Sequence, residues 1–86
     1  MANYKVEISR TAEKQIASLP RVEQVRVLRA VMQLEEDAQP KGSRKLQGYE
    51  FTYRIRVGMY RIIYDLDGKR AIIVVLKVGH RKEIYR

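Results

Sequence analysis

The chain has 86 residues, 45% of them hydrophobic, no cysteine, and eighteen Lys/Arg against ten Asp/Glu, for a formal net charge of +8 and a pI near 10.1. That length suits one domain around one core, and the lack of cysteine excludes a disulfide framework and any thiolate metal site. No stretch approaches the ~20 apolar residues of a membrane-spanning helix, and Met1-Ala2-Asn3-Tyr4-Lys5 lacks the apolar run of a signal peptide, so residues 1–86 are expected to form a single cytoplasmic domain without membrane association.

Tyr4, Val6 and Ile8 alternate with Lys5 and Glu7, which predicts a short strand. Ser9 suits a helix N-cap, and Ala12, Ile16 and Leu19 then fall at helical spacing. Pro20 ends that helix and can open the next within its first turn. The second helix is expected over residues 21–38. Its apolar set is Val22, Val25, Val27, Leu28, Ala30, Val31, Met32 and Leu34, leaving Arg26, Arg29, Gln33 and Glu36 as a narrow polar stripe. A simple surface helix needs a narrower apolar face, so packing on two sides is expected, against the sheet and against the first helix or a partner chain. Asp37 to Gly48 reads as a connector, with Pro40, Gly42 and Ser43 as turn formers.

Three strands follow, over residues 49–57, 60–66 and 70–78. Gly58-Met59 reads as a two-residue hairpin loop, with glycine where a type II′ turn wants it, and Asp67-Gly68 marks a second hairpin. Ala71-Ile72-Ile73-Val74-Val75-Leu76 is apolar at every position and predicts a central strand covered on both faces. The order β-α-α-β-β-β gives an α+β fold: a helix hairpin laid on a mostly antiparallel sheet.

The charge is one-sided. Residues 1–40 carry six basic and six acidic side chains, whereas residues 41–86 carry twelve Lys/Arg and four Asp/Glu. A confined basic footprint points to a polyanion, and arginine, the commoner base in that half, forks onto phosphate better than lysine. Strand alternation puts Phe51, Tyr53, Ile55 and Val57 on one face and Thr52, Arg54 and Arg56 on the other. The two-residue loop then sets Arg56 opposite Arg61. Like charges directly opposite destabilise a sheet, and a bound polyanion relieves that cost. A solvated basic face is the plain alternative.

One histidine, His80, and the scattered acids Glu50, Asp65, Asp67 and Glu83 show no ligand-like spacing, and no glycine-rich phosphate loop or serine–histidine motif stands out. A site of Arg, Tyr and His remains, with neither metal nor cofactor expected. Such a set suits internal phosphoryl transfer in RNA, where guanidinium groups stabilise the charge building on phosphorus and a tyrosine or histidine moves a proton or stacks on a base.

Along nearly its whole length the sequence resembles the RelE branch of the RelE/ParE toxin superfamily. The likeness rests on Lys45-Leu46-Gln47-Gly48, Tyr53-Arg54-Ile55-Arg56-Val57, Tyr60-Arg61-Ile62-Ile63-Tyr64 and the run from Val78-Gly79-His80-Arg81 to Lys82-Glu83-Ile84-Tyr85-Arg86. The resemblance implies the toxin of a type II toxin–antitoxin pair, a metal-independent and ribosome-dependent endoribonuclease that cuts mRNA by 2′-hydroxyl attack on the adjacent phosphate. It implies a cognate acidic antitoxin as partner, beside mRNA and the ribosome. The family's catalytic positions fall on Arg54, Arg56, Arg61, Arg81 and Tyr85. Some members carry lysine where this chain has Arg54 and Arg56, so His80 or Glu50 is considered for acid–base work. Lys41, Arg44 and Lys45 are expected to be general RNA contacts. Packing of the tail is the alternative for Tyr85, and an ordinary loop residue for His80. Two other functions stay open: a ParE-like gyrase-poisoning toxin, and an RNA-binding module without catalysis.

Overall fold

The alternating N-terminal residues form β1 (Lys5–Ile8) in the structure, a computed structural model that describes residues 3–82. Ser9 caps α1 (Arg10–Ala17): its Oγ accepts from the Ala12 amide at 3.1 Å, and the helix buries Ala12 and Ile16. Pro20 stands at the N-cap of α2 (Arg21–Gln33), one residue ahead of the first turn. The helix stops five residues short of the expected end. The amides of Leu34, Glu35 and Glu36 reach back only three residues, at 3.1, 3.1 and 3.2 Å, which tightens the chain into turns before Pro40. Leu34 and Ala38 in that segment are still buried.

The sheet has five strands, β1-β5-β4-β3-β2 in spatial order, with β2 (Arg44–Lys45), β3 (Thr52–Val57), β4 (Tyr60–Asp67) and β5 (Ile72–His80). β1 runs parallel beside β5 and every other pairing is antiparallel. The α+β architecture is therefore the expected one, with local differences. β2 is a strand within the segment read as a connector, and it pairs Arg44 with Arg54. β3 begins at Thr52, and Phe51 sits in a bend, 59% exposed, not on the core face. β5 starts two residues late because Asp67 Oδ1 accepts from the amides of both Lys69 and Arg70, holding them in the turn. At the other hairpin Gly58 has φ +60, while Met59 keeps a negative φ, which is the type II′ pattern.

Both helices cover one face of the sheet. Val27 and Val31 from α2, Leu34 just past its end and Ile16 from α1 meet Ile55, Ile62, Tyr64, Leu66, Ile73, Val75 and Val78. No helix of the described residues lies on the other face, so β5 is central but covered on one side only there, with Ile72 and Val74 half-buried on the open side.

A β-bulge interrupts β5. Ile63 pairs with Lys77 and Tyr64 with Val75, which leaves Leu76 as an extra residue. Ile73 and Val75 face the helices; strict alternation would send Lys77 after them. The bulge instead gives the core place to Val78, 1% exposed, and turns Lys77 outward. Two side chains of the α1 region hold the irregular backbone: Ser9 Oγ donates to the Leu76 carbonyl at 3.0 Å, and Gln15 Oε1 accepts from the Val78 amide at 2.7 Å.

Tyr64 is fully buried, stacks on Tyr53 at 5.9 Å, and donates its hydroxyl hydrogen to the Ala38 carbonyl at 2.8 Å. Burial pushes its pKa from 10.0 up to about 12, partly offset by a hydrogen bond with the Ser43 side chain. The unfolded chain ionises this phenol near 10, whereas the fold keeps its proton to about 12. The contribution is thus complete below pH 10 and is lost as pH climbs through 12. Urea unfolding should show the stability of the wild type over Tyr64→Phe shrinking by on the order of 2 kcal/mol between about pH 9 and 12. A constant difference across that range would overturn the assignment.

Candidate functional site

On the open face the cross-strand register groups the cations in two rows. Arg56 on β3 lies directly opposite Arg61 on β4, with Gly79 of β5 beyond it. The neighbouring row runs from Arg44 through Arg54 and Ile63 to Lys77, across four strands. Alternation keeps all of these side chains on the side away from the helices. The absence of a side chain at Gly79 leaves the Arg61 row open toward β5.

Few acids share this face. Lys5 pairs with Glu7 at 3.9 Å and Arg70 with Asp67 at 3.7 Å, both outside these rows. Asp65 faces the same way, but its carboxylate accepts the Thr52 hydroxyl at 2.6 Å, two residues along β3 from Arg54. Like charges thus stand directly opposite one another at Arg44 and Arg54 and at Arg56 and Arg61, a placement that favours an anion at this face.

Arg81 follows β5 directly. Its amide donates to the Met59 carbonyl at 2.9 Å, which ties the chain leaving the sheet to the hairpin loop between Arg56 and Arg61. The structure thus brings Arg54, Arg56 and Arg61 onto one surface with Arg81 at its end. Tyr85 lies outside the described residues.

The proposed acid–base groups fall elsewhere. His80 pairs with Tyr60 and shares the helix side of the sheet with it, one residue out of step with Arg61 and Gly79. Its ring meets the Tyr60 ring edge-on at 5.8 Å, and its Nδ1 accepts from the Lys82 amide at 3.3 Å. Glu50 is exposed in the bend before β3, at the opposite end of that strand from Arg56. Of the expected RNA contacts, Arg44 joins the open face beside Arg54, Lys45 pairs with Tyr53 on the other side, and Lys41 is exposed in the turn before β2.

Lys77 is the member of this surface that residue alternation misses. In the structure the core residues Ile73, Val75 and Val78 are separated by two and then three, the mark of an inserted residue, but Ile72, Val74 and Leu76 are apolar as well and hide that spacing in the sequence. Chemically, the surface offers forked donors on rigid strands for the oxygens of a phosphodiester, with an arginine on the adjoining turn to complete the shell around one phosphorus.

Comparison with known proteins agrees with this fold. Residues 6–85 match the family described as the ParE toxin of the type II toxin–antitoxin system parDE. Toxin RelG of Mycobacterium tuberculosis H37Rv is 31% identical over 88 residues, spanning 96% of this chain and 97% of the relative. Among solved structures, RelE of Pyrococcus horikoshii OT3, determined as a RelE–RelB complex, superposes with a TM-score of 0.83 at 32% identity, covering 94% of this chain and 98% of that one. The RelBE2 toxin–antitoxin complex of M. tuberculosis has a TM-score of 0.82 at 26% identity, over 93% of this chain and 100% of its counterpart.

Proposed function

The chain belongs to the RelE/ParE superfamily of type II toxin–antitoxin toxins, and from that premise we propose that it is a ribosome-dependent endoribonuclease that cuts mRNA. The observation that carries the reading is the cross-strand pair of Arg56 and Arg61, flanked by Arg54, on a sheet face that no helix of the described residues covers. A toxin that only grips a protein target has no need of such a phosphate-focused surface.

In the proposed reaction the 2′-oxygen of one nucleotide attacks the adjacent phosphorus. The new 2′-O–P bond forms as the P–O5′ bond breaks, giving a 2′,3′-cyclic phosphate and a 5′-hydroxyl end. The proton leaves the 2′-hydroxyl, and the departing 5′-oxygen acquires one. Arg61 and Arg81 neutralise the charge that gathers on the non-bridging oxygens. Arg54 and Arg56 bind and orient the phosphodiester, since an arginine does not give up its proton. Incubation of the purified protein with mRNA-programmed ribosomes, followed by mapping of the ends, tests this. Internal cuts bearing those two termini support it. Intact mRNA together with loss of gyrase supercoiling activity would favour the gyrase-directed reading that the ParE match brings into play. RNA binding without cleavage would leave a binding module.

Because Arg56 is placed as a binding group, Arg56→Lys is expected to keep or raise the cleavage rate, with any gain greatest at high pH, where a lysine amine can lose its proton. A loss as large as that of Arg56→Ala in the same pH–rate series would show instead that the two-pronged guanidinium contact is required. The proposed partner is a cognate antitoxin, in keeping with the RelBE2 toxin–antitoxin complex of M. tuberculosis, and an acidic one would complement the +8 charge of this chain.

A further inference from the structure

We propose that Lys77 is an RNA-backbone contact, so that a single strand crosses the open face perpendicular to the β-strands, from Arg44 on β2 past Arg54 to Lys77 on β5. The inference rests on the RNA reading above and adds a residue and a direction to it.

Three observations converge on Lys77. The register puts it in the row of Arg44 and Arg54, across Ile63, two strand spacings from Arg54, or roughly 10 Å. That separation suits a cation serving a phosphate next to the one held by the arginines. Secondly, the bulge at Leu76 is what turns it outward, and bulges recur beside functional sites because they re-aim a side chain. The backbone on both sides is fastened to the α1 region, Leu76 through Ser9 and Val78 through Gln15, so the lysine stands on a fixed base. Thirdly, Lys77 is exposed and has no carboxylate partner among the described residues, while the acids of this face are engaged: Glu7 with Lys5 and Asp65 with Thr52. Ile63, between the two cations of the row, is only 6% exposed although no helix of the described residues covers it.

The test is binding of a labelled single-stranded 2′-O-methyl oligoribonucleotide, which offers no 2′-hydroxyl for attack, followed by fluorescence anisotropy over a salt series. Lys77→Ala should weaken binding about tenfold at low salt and lower the slope of log K against log salt by roughly 0.7, the share of one phosphate contact. Lys77→Arg should restore both. Lys14→Ala, on the exposed side of α1, should change neither. On programmed ribosomes Lys77→Ala should raise the half-saturating enzyme concentration about tenfold and alter the saturating rate by less than about threefold. Wild-type affinity and slope in Lys77→Ala, or an equal loss in Lys14→Ala, would overturn the assignment, as would failure of the wild type to bind the oligonucleotide. Wild-type binding without cleavage of mRNA would end the nuclease reading while leaving Lys77 to be judged by the salt series.

Discussion

Replacing Arg81 by alanine should lower single-turnover cleavage on programmed ribosomes by about 10²–10³-fold while the protein stays folded. Loss of one donor aimed at charge that develops only in the transition state costs about 2.7–4 kcal/mol, which is that factor in rate. The fold should tolerate the change. Arg81 is exposed, and its structural contact is the backbone amide bonded to the Met59 carbonyl, which an alanine keeps. The melting temperature and the affinity for an uncleavable oligoribonucleotide should therefore move little while the rate falls. A well-folded Arg81→Ala protein that cleaves at the wild-type rate would remove Arg81 from the site and with it the proposed geometry around phosphorus.

A glutamate in place of Val25 should weaken the complex with the cognate antitoxin on the order of 10²-fold and leave cleavage by the free toxin unchanged. Val22, Val25, Leu28 and Met32 are 66%, 46%, 40% and 54% exposed on α2, at separations of three, three and four residues. That spacing is one continuous stripe along a helix, the pattern an amphipathic partner helix reads. Arg21, Arg26 and Arg29 on the same helix suit an acidic partner. Truncating a central contact of such a seam costs 2 kcal/mol or more, each 1.4 kcal/mol is about a factor of ten, and a carboxylate adds repulsion against an acidic chain. Titration calorimetry with the product of the neighbouring reading frame measures the first quantity and the ribosome assay the second. Unchanged affinity would move the antitoxin off α2. Loss of cleavage in the uncomplexed variant would mean that α2 serves the site as well.

The β3–β4 hairpin was the most legible part of the molecule. A glycine at the first of two loop positions and strict alternation on either side leave one register, and that register alone sets Arg56 against Arg61. The core face of β5 was not legible in the same way. Its residues are apolar throughout, so hydrophobicity could not say which of them point inward, and the inserted Leu76 made alternation misleading beyond it. Lys77 was missed for that reason. His80 was considered for proton transfer because Arg54 and Arg56 stand where some relatives have lysine, but alternation along β5 turns it to the opposite face from the Arg61–Gly79 row. β2, of two residues, is too short to carry a pattern, and Arg44 gained its place beside Arg54 only through pairing. Early termination of α2 had a visible cause in Pro40, but nothing in residues 34–38 distinguishes a tightened turn from another turn of helix.

The strand order also bears on how the protein is made. β5 is hydrogen-bonded to both β1 and β4, so the sheet is two pieces until residues 72–80 have been synthesised. Before then β1 has no neighbour, and the β3–β4 hairpin, with its opposed arginines, is backed only by the two-residue β2, a unit that is at best marginal in water. Long-range closure of the first strand on the last is slow relative to helix formation. A growing chain thus passes through most of its translation with neither a core nor an assembled anion site. The proposed inhibitor of translation would therefore gain its activity only after the ribosome that makes it has finished the central strand.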